Sequence, residues 1–172
     1  MCGLDDATIQ SIGDLLEFVK ELSTGYSKRL WFRGVTDFSW ELLPSVQRSQ
    51  RSIDHERFLT NDFYIRAKQV LATCPEKHDY AGWLTLMQHY GLPTRLLDWS
   101  LSPLIALFFA AEDSKKHTMK MPDYNDSNPK DGCLWVLKPH IINNLEGFGN
   151  CIFPSDADTA QAMLLPAFKE RG

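Results

Sequence analysis

The chain has 172 residues, with 18 Lys+Arg against 22 Asp+Glu, a formal net charge of −4 and a pI of about 5.7. Its 44% hydrophobic and 12% aromatic content suffices for one autonomous core and excludes global disorder. The longest apolar run, Leu104 to Ala111, is far below the ~20 residues that cross a bilayer, and a mildly acidic chain gathers no polyanions, so a cytoplasmic protein without membrane or strong nucleic-acid binding is expected.

In chain order, Ile9 to Leu22 puts Ile12, Leu15, Leu16, Val19 and Leu22 on one helical face, with Ser11 as N-cap and Asp14 and Glu17 near the positive end. A strand-like run, Leu30-Trp31-Phe32, ends at Arg33-Gly34 and leads into a turn-rich stretch carrying Phe38 and Trp40. A helix is expected over Asp54 to Leu71 and another over Tyr80 to Tyr90, stopped by Gly91 and Pro93. Thr94 to Trp99 reads as a short strand. Ser102 and Pro103 then open an almost wholly apolar helix to Ala111 or Glu112, which predicts that it is buried all round. Asp113 to Asp131 reads as a solvated loop, Gly132 to Lys138 as a strand, and the residues from Pro139 on have weak periodicity. The expected architecture is a single α+β domain over residues 1–172, with N-terminal helices packed on a small mixed or antiparallel sheet.

Chemistry concentrates in two places. Arg33 can present its planar fork to a phosphate or carboxylate while Gly34 admits a close approach, or it can pin the turn through a salt bridge. In Gln88-His89-Tyr90-Gly91-Leu92-Pro93-Thr94-Arg95-Leu96-Leu97-Asp98, the side chains of Gln88, His89, Thr94, Arg95 and Asp98 either converge on one pocket or serve structure, with an Arg95–Asp98 ion pair. The four cysteines, Cys2, Cys74, Cys133 and Cys151, form no C-x-x-C pair, and Cys133 reads as a buried small hydrophobe. The five histidines show no ligand spacing, so no metal is expected. P-loop, dinucleotide and nucleophile-elbow strings are missing.

Four blocks in order, Leu30-Trp31-Phe32-Arg33-Gly34, Leu42-Leu43-Pro44-Ser45 with Arg48, Gln88 to Trp99, and Ser102-Pro103-Leu104-Ile105-Ala106-Leu107-Phe108-Phe109-Ala110, resemble the FRG domain family, named for its Phe-Arg-Gly motif. The likeness spans residues about 10 to 140. It implies a bacterial or phage setting in toxin or defence systems. A weaker likeness, aromatic-Arg-Gly after an early strand and a later Ser-Pro-x-x-Ala-x-x-Phe-Ala helix, is similar to ADP-ribosyltransferases of the Arg-Ser-Glu type. That likeness implies an ADP-ribosyltransferase-like fold acting on the glycosidic bond of NAD, with NAD as substrate and a late glutamate at the ribose.

Carried onto this chain, the resemblance makes Arg33, His89 and Asp98 the catalytic residues and Gly34, Gln88, Thr94, Arg95 and Ser100 the substrate-binding ones, all facing one hollow for an anionic ligand. A non-catalytic module that recognises a protein or nucleotide, through the same cleft or through Phe38 and Trp40, is the alternative. The late glutamate strand is not evident, because Glu146 sits among Gly and Asn and Glu170 lies two residues from the end. Either the domain is cut short, which the ending Phe168-Lys169-Glu170-Arg171-Gly172 fits, or the site is built without that element, or this member binds and does not catalyse.

Overall fold

A computed structural model describes residues 7–23, 29–48, 53–112 and 131–169. The described elements are α1 (Ile12–Leu22), β1 (Trp31–Val35), α2 (Ser45–Arg48), α3 (Ile53–Val70), α4 (Tyr80–His89), α5 (Pro103–Ala110), β2 (Cys133–Leu137), α6 (Pro139–Leu145), α7 (Asp158–Leu164) and a 3-10 turn at Leu165–Ala167. The class is α+β, with a two-stranded antiparallel sheet. The chain forms two compact units, one of residues 1–40 and 99–151, the other of 41–98 and 152–172.

In the first unit β1 is the central strand. It pairs with β2 in the register Trp31↔Leu137, Arg33↔Trp135, Val35↔Cys133, and on its other edge Phe32 exchanges two backbone hydrogen bonds of 2.8 Å with Ser100. Arg33 therefore lies in the middle of a strand and not at its end, since the strand runs on through Gly34 to the buried Val35. Gly34 allows this. A Cβ there would fall on the carbonyl oxygen of Ala106 and lie 2.7 Å from the Ala110 nitrogen, so α5 and β1 touch backbone to backbone.

Alternation along a strand sends Phe32 and Gly34 to one sheet face and Trp31, Arg33 and Val35 to the other. Phe32 packs with Leu30 and Ala106, joined by Leu134 and Val136 of β2 and by Val19 and Leu22 of α1. That is the expected packing of an N-terminal helix on a small sheet. The α1 start is a capping box: Ser11 Oγ accepts from Asp14 N–H, and Asp14 accepts in return from Ser11 N–H.

Three expectations need correction. α5 is not buried all round: only Ala106 is sealed, at 1% exposure, while Leu104, Ile105, Phe108 and Phe109 are 48–52% exposed, because a two-stranded sheet covers one stripe of a helix. Thr94–Trp99 forms no strand, and only Ser100 makes a bridge. Cys133 is half-buried, at the end of β2 opposite the buried Val35. The expected loop over residues 113–130 lies outside the described residues.

In the second unit Leu84 and Met87 of α4 pack with Ala167, against Leu59 and Phe63 of α3, Leu92, Leu96 and Phe168. The C-terminal segment, aperiodic in sequence, is strapped here by polar bonds. Asn61 donates to Phe168 O at 2.9 Å, Thr60 to Ala167 O, and Gln161 accepts from Tyr80 N–H at 2.7 Å while donating to Asp79. Among the described residues no helix is long and apolar enough to cross a membrane.

Gly34→Ala is expected to destabilise the protein by about 3 kcal/mol, the upper end for overpacking because the obstacle is backbone; urea denaturation reads this out. At the α1 cap, the hydrogen bonds with Ser11 and then Gln10 hold the Asp14 carboxyl below its ordinary 3.8. The ionised cap is therefore favoured in the folded helix above that pH and lost as acid titrates it. Asp14→Asn should loosen the first turn at neutral pH, with the difference from wild type vanishing well below 3.8. Amide chemical shifts of residues 11–15 follow both.

Candidate functional site

The residues expected to form the site divide between the units: Arg33, Gly34 and Ser100 in the first, Gln88, His89, Thr94, Arg95 and Asp98 in the second. In the first unit, Arg33 stands directly opposite Trp135 on the sheet face away from Phe32 and α5. Because Phe32 turns its N–H and C=O to Ser100, Arg33 and Trp135 form one of the hydrogen-bonded pairs of the ladder, and their side chains share a face. Arg33 Nε and Trp135 Nε1 are both buried. Gly34 serves the contact with α5, on the opposite face from Arg33. Ser100, besides bridging Phe32, accepts from Ser102 N–H through its hydroxyl at 3.0 Å.

In the second unit the bend after α4 is built from local backbone. Gly91 has φ +77°, Gly91 N–H donates to Gln88 O at 2.9 Å and Leu92 N–H to Met87 O at 3.1 Å, a Schellman ending that needs a left-handed residue. Leu92 then packs on Met87. Thr94 is fully buried and satisfied on every side: its N–H donates to Ser45 Oγ at 3.0 Å, and its carbonyl accepts from Ser45 Oγ at 3.1 Å and Val46 N–H at 3.2 Å. Its hydroxyl donates to Gln88 Oε1 at 3.0 Å and accepts from Leu96 N–H at 3.2 Å. With Oε1 so engaged, the Gln88 amide turns its NH2 outward, where Nε2 donates to Asp98 Oδ2. Asp98, Gln88, Thr94 and Ser45 are thus one hydrogen-bonded chain running from an exposed carboxylate into the core.

Arg95 is not part of that chain. Its Nε and Nη2 engage both carboxylate oxygens of Glu56 on α3, at 2.8 and 2.6 Å, with side-chain exposures of 20% and 6%. The ion pair weighed for Arg95 with Asp98 is made with Glu56 instead. His89 is exposed, its ring edge-on to Tyr90 at 5.7 Å. Among the described residues no three His, Cys, Asp or Glu side chains gather as a metal set.

Sequence reasoning missed Trp135 and Glu56 altogether. Nothing local marks either, since each meets its arginine across the fold. Ser45 was visible within a motif block without its role, which is to hold residue 94 from 49 positions away.

These elements define an α+β protein whose motif-bearing strand, Trp31–Val35, is clamped between β2 and Ser100. The FRG domain model matches residues 28–119, more than half of the chain, and the protein belongs to the FRG domain family. No curated protein and no solved structure matches it.

The Glu56–Arg95 pair generates a stability prediction. Glu56→Ala leaves a guanidinium mostly desolvated and is expected to cost about 3 kcal/mol, the low end for breaking a buried pair because Arg95 keeps some water contact. Arg95→Lys should recover only part of wild-type stability, since an ammonium cannot make both bonds. Thermal and urea unfolding of the three proteins measure this.

Proposed function

We propose that this FRG domain binds an anionic nucleotide-type ligand, with NAD the candidate and Arg33 the group that holds its phosphates. The observation that carries this reading is the placement of Arg33: mid-strand, on the sheet face opposite α5, with its Nε buried. A guanidinium partly withdrawn from water attracts an anion more strongly than a solvated one, because the effective dielectric is lower. Its fork matches two phosphate oxygens at once. The base of the side chain is rigid, since β1 is paired on both edges, and rigidity reduces the entropy lost on binding.

Bond cleavage has less support than recognition. The opening of the nicotinamide glycosidic bond develops positive charge on the ribose, which a nearby carboxylate stabilises. After β2 the described residues form α6 and α7, and Glu146 is the exposed C-cap of α6, so the late glutamate strand of the ADP-ribosyltransferase pattern is not among them. A bacterial or phage toxin or defence system is the setting the family resemblance offers, and the lack of a long apolar run in the sequence supports a cytoplasmic one.

A second reading, protein recognition, is favoured by a separate observation. Phe38 and Trp40 are 66% and 46% exposed, beside a turn fixed by the buried Asp37, which accepts from Ser39 N–H and Oγ.

Calorimetric titration decides between them. NAD and ADP-ribose are expected to bind, nicotinamide riboside, which lacks phosphate, to bind far more weakly, and Arg33→Ala to lose at least about tenfold in affinity, a charged hydrogen bond's worth. Because Arg33 also takes part in interactions within the chain, its melting temperature is measured alongside. Free nicotinamide, followed in the same samples, reports turnover. Equal affinity for the riboside, or unchanged affinity in a folded Arg33→Ala protein, would overturn the reading. A protein partner that ignores Arg33→Ala but is lost with Trp40→Ala would establish the second one.

A further inference from the structure

We infer that Trp135 is the second donor of the anion site: its indole N–H hydrogen-bonds the same phosphate-type oxyanion that Arg33 holds. This rests on the ligand reading above and adds to it a residue that lies outside every motif block of the sequence and outside residues 28–119.

The first observation is register. Arg33 and Trp135 are direct cross-strand partners, and in such a pair the side chains leave the same sheet face about 5 Å apart. The second is an orphaned donor. Trp135 Nε1 is buried and donates to nothing among the described residues. Buried polar groups are nearly always satisfied, and an exception is a donor available to a water or an incoming acceptor. The chain itself supplies the contrast: the indole of Trp83, a buried residue of the other unit, donates to Glu76 O at 2.8 Å.

Composition explains why the flanking strand residues do not satisfy the indole. The flanking pairs are Trp31↔Leu137 and Val35↔Cys133, whose side chains carry no oxygen acceptor. What the two strands present beside Trp135 is therefore the Arg33 guanidinium, itself engaged within the chain, among apolar side chains. The complementary group is an oxyanion with at least two free acceptor oxygens, one for the guanidinium and one for the indole. A phosphate or pyrophosphate meets that requirement; a neutral sugar or a free base does not. Binding must displace whatever side chains shield the indole nitrogen, and satisfaction of an N–H that is orphaned in the free protein offsets part of that cost.

The test uses the full chain and two probes, inorganic pyrophosphate and ADP-ribose. In 15N-labelled wild-type protein the five tryptophans give separate indole N–H signals, which through-bond connectivity assigns. On saturation with either probe the Trp135 indole proton is expected to move downfield, by more than the other four. Trp135→Phe, which keeps an aromatic ring and removes the donor, is expected to weaken binding about tenfold. The wild-type spectrum keeps the inference testable even if the variant folds poorly. Binding that needs Arg33 but leaves the Trp135 signal unmoved overturns the role of Trp135 while the ligand reading stands. Failure of both probes to bind the wild-type protein overturns both.

Discussion

The backbone contact between α5 and β1 at Gly34 is the constraint on which the first unit depends. With no Cβ at residue 34, the carbonyl of Ala106 sits where a side chain would be, and the helix lies flat on the strand. Phe32, one residue before, fills the space beside Ala106. Because side chains alternate along a strand, fixing 32 and 34 toward α5 also fixes 31, 33 and 35 toward the other face. The position of the Arg33 guanidinium is thus a consequence of packing on the face it does not touch. The same contact leaves Leu104, Ile105, Phe108 and Phe109 about half in water, since a helix of eight apolar residues has more surface than two strands can cover.

The second unit organises its polar residues by satisfaction. Thr94 is sealed from solvent, so each of its polar atoms must find a partner, and Ser45, Val46, Gln88 and Leu96 supply them. The order this imposes reaches the surface, because an acceptor bond at Gln88 Oε1 decides which end of the amide faces Asp98. Arg95 follows the same rule: with Glu56 inside, both charges are compensated in two short bonds. Most of the dense polar composition of residues 88–98 therefore does structural work.

That division bears on function. Arg95 is compensated by a buried carboxylate, and Arg33, engaged within the chain, stands opposite Trp135, whose Nε1 is buried without a partner among the described residues. The FRG motif strand itself lies within the family match at residues 28–119.

Much of this was legible before any coordinates. Helical periodicity located α1, α3 and α4, Ser11 marked a cap that forms, Gly91 marked the bend, and apolar runs at 30–32 and 133–137 marked the two strands, because these signals are local and each residue acts on neighbours within one or two turns. Three kinds of fact were not local. The strand expected over Thr94–Trp99 gave way to a loop because Ser45, 49 residues away, captured the backbone of Thr94. The short helices after Pro139 lacked periodicity because polar straps such as Gln161 to Asp79 and Tyr80 hold the C-terminal one in place. And the pairing of Arg33 with Trp135, and of Arg95 with Glu56, was set by register and helix placement, which no spacing along the chain encodes.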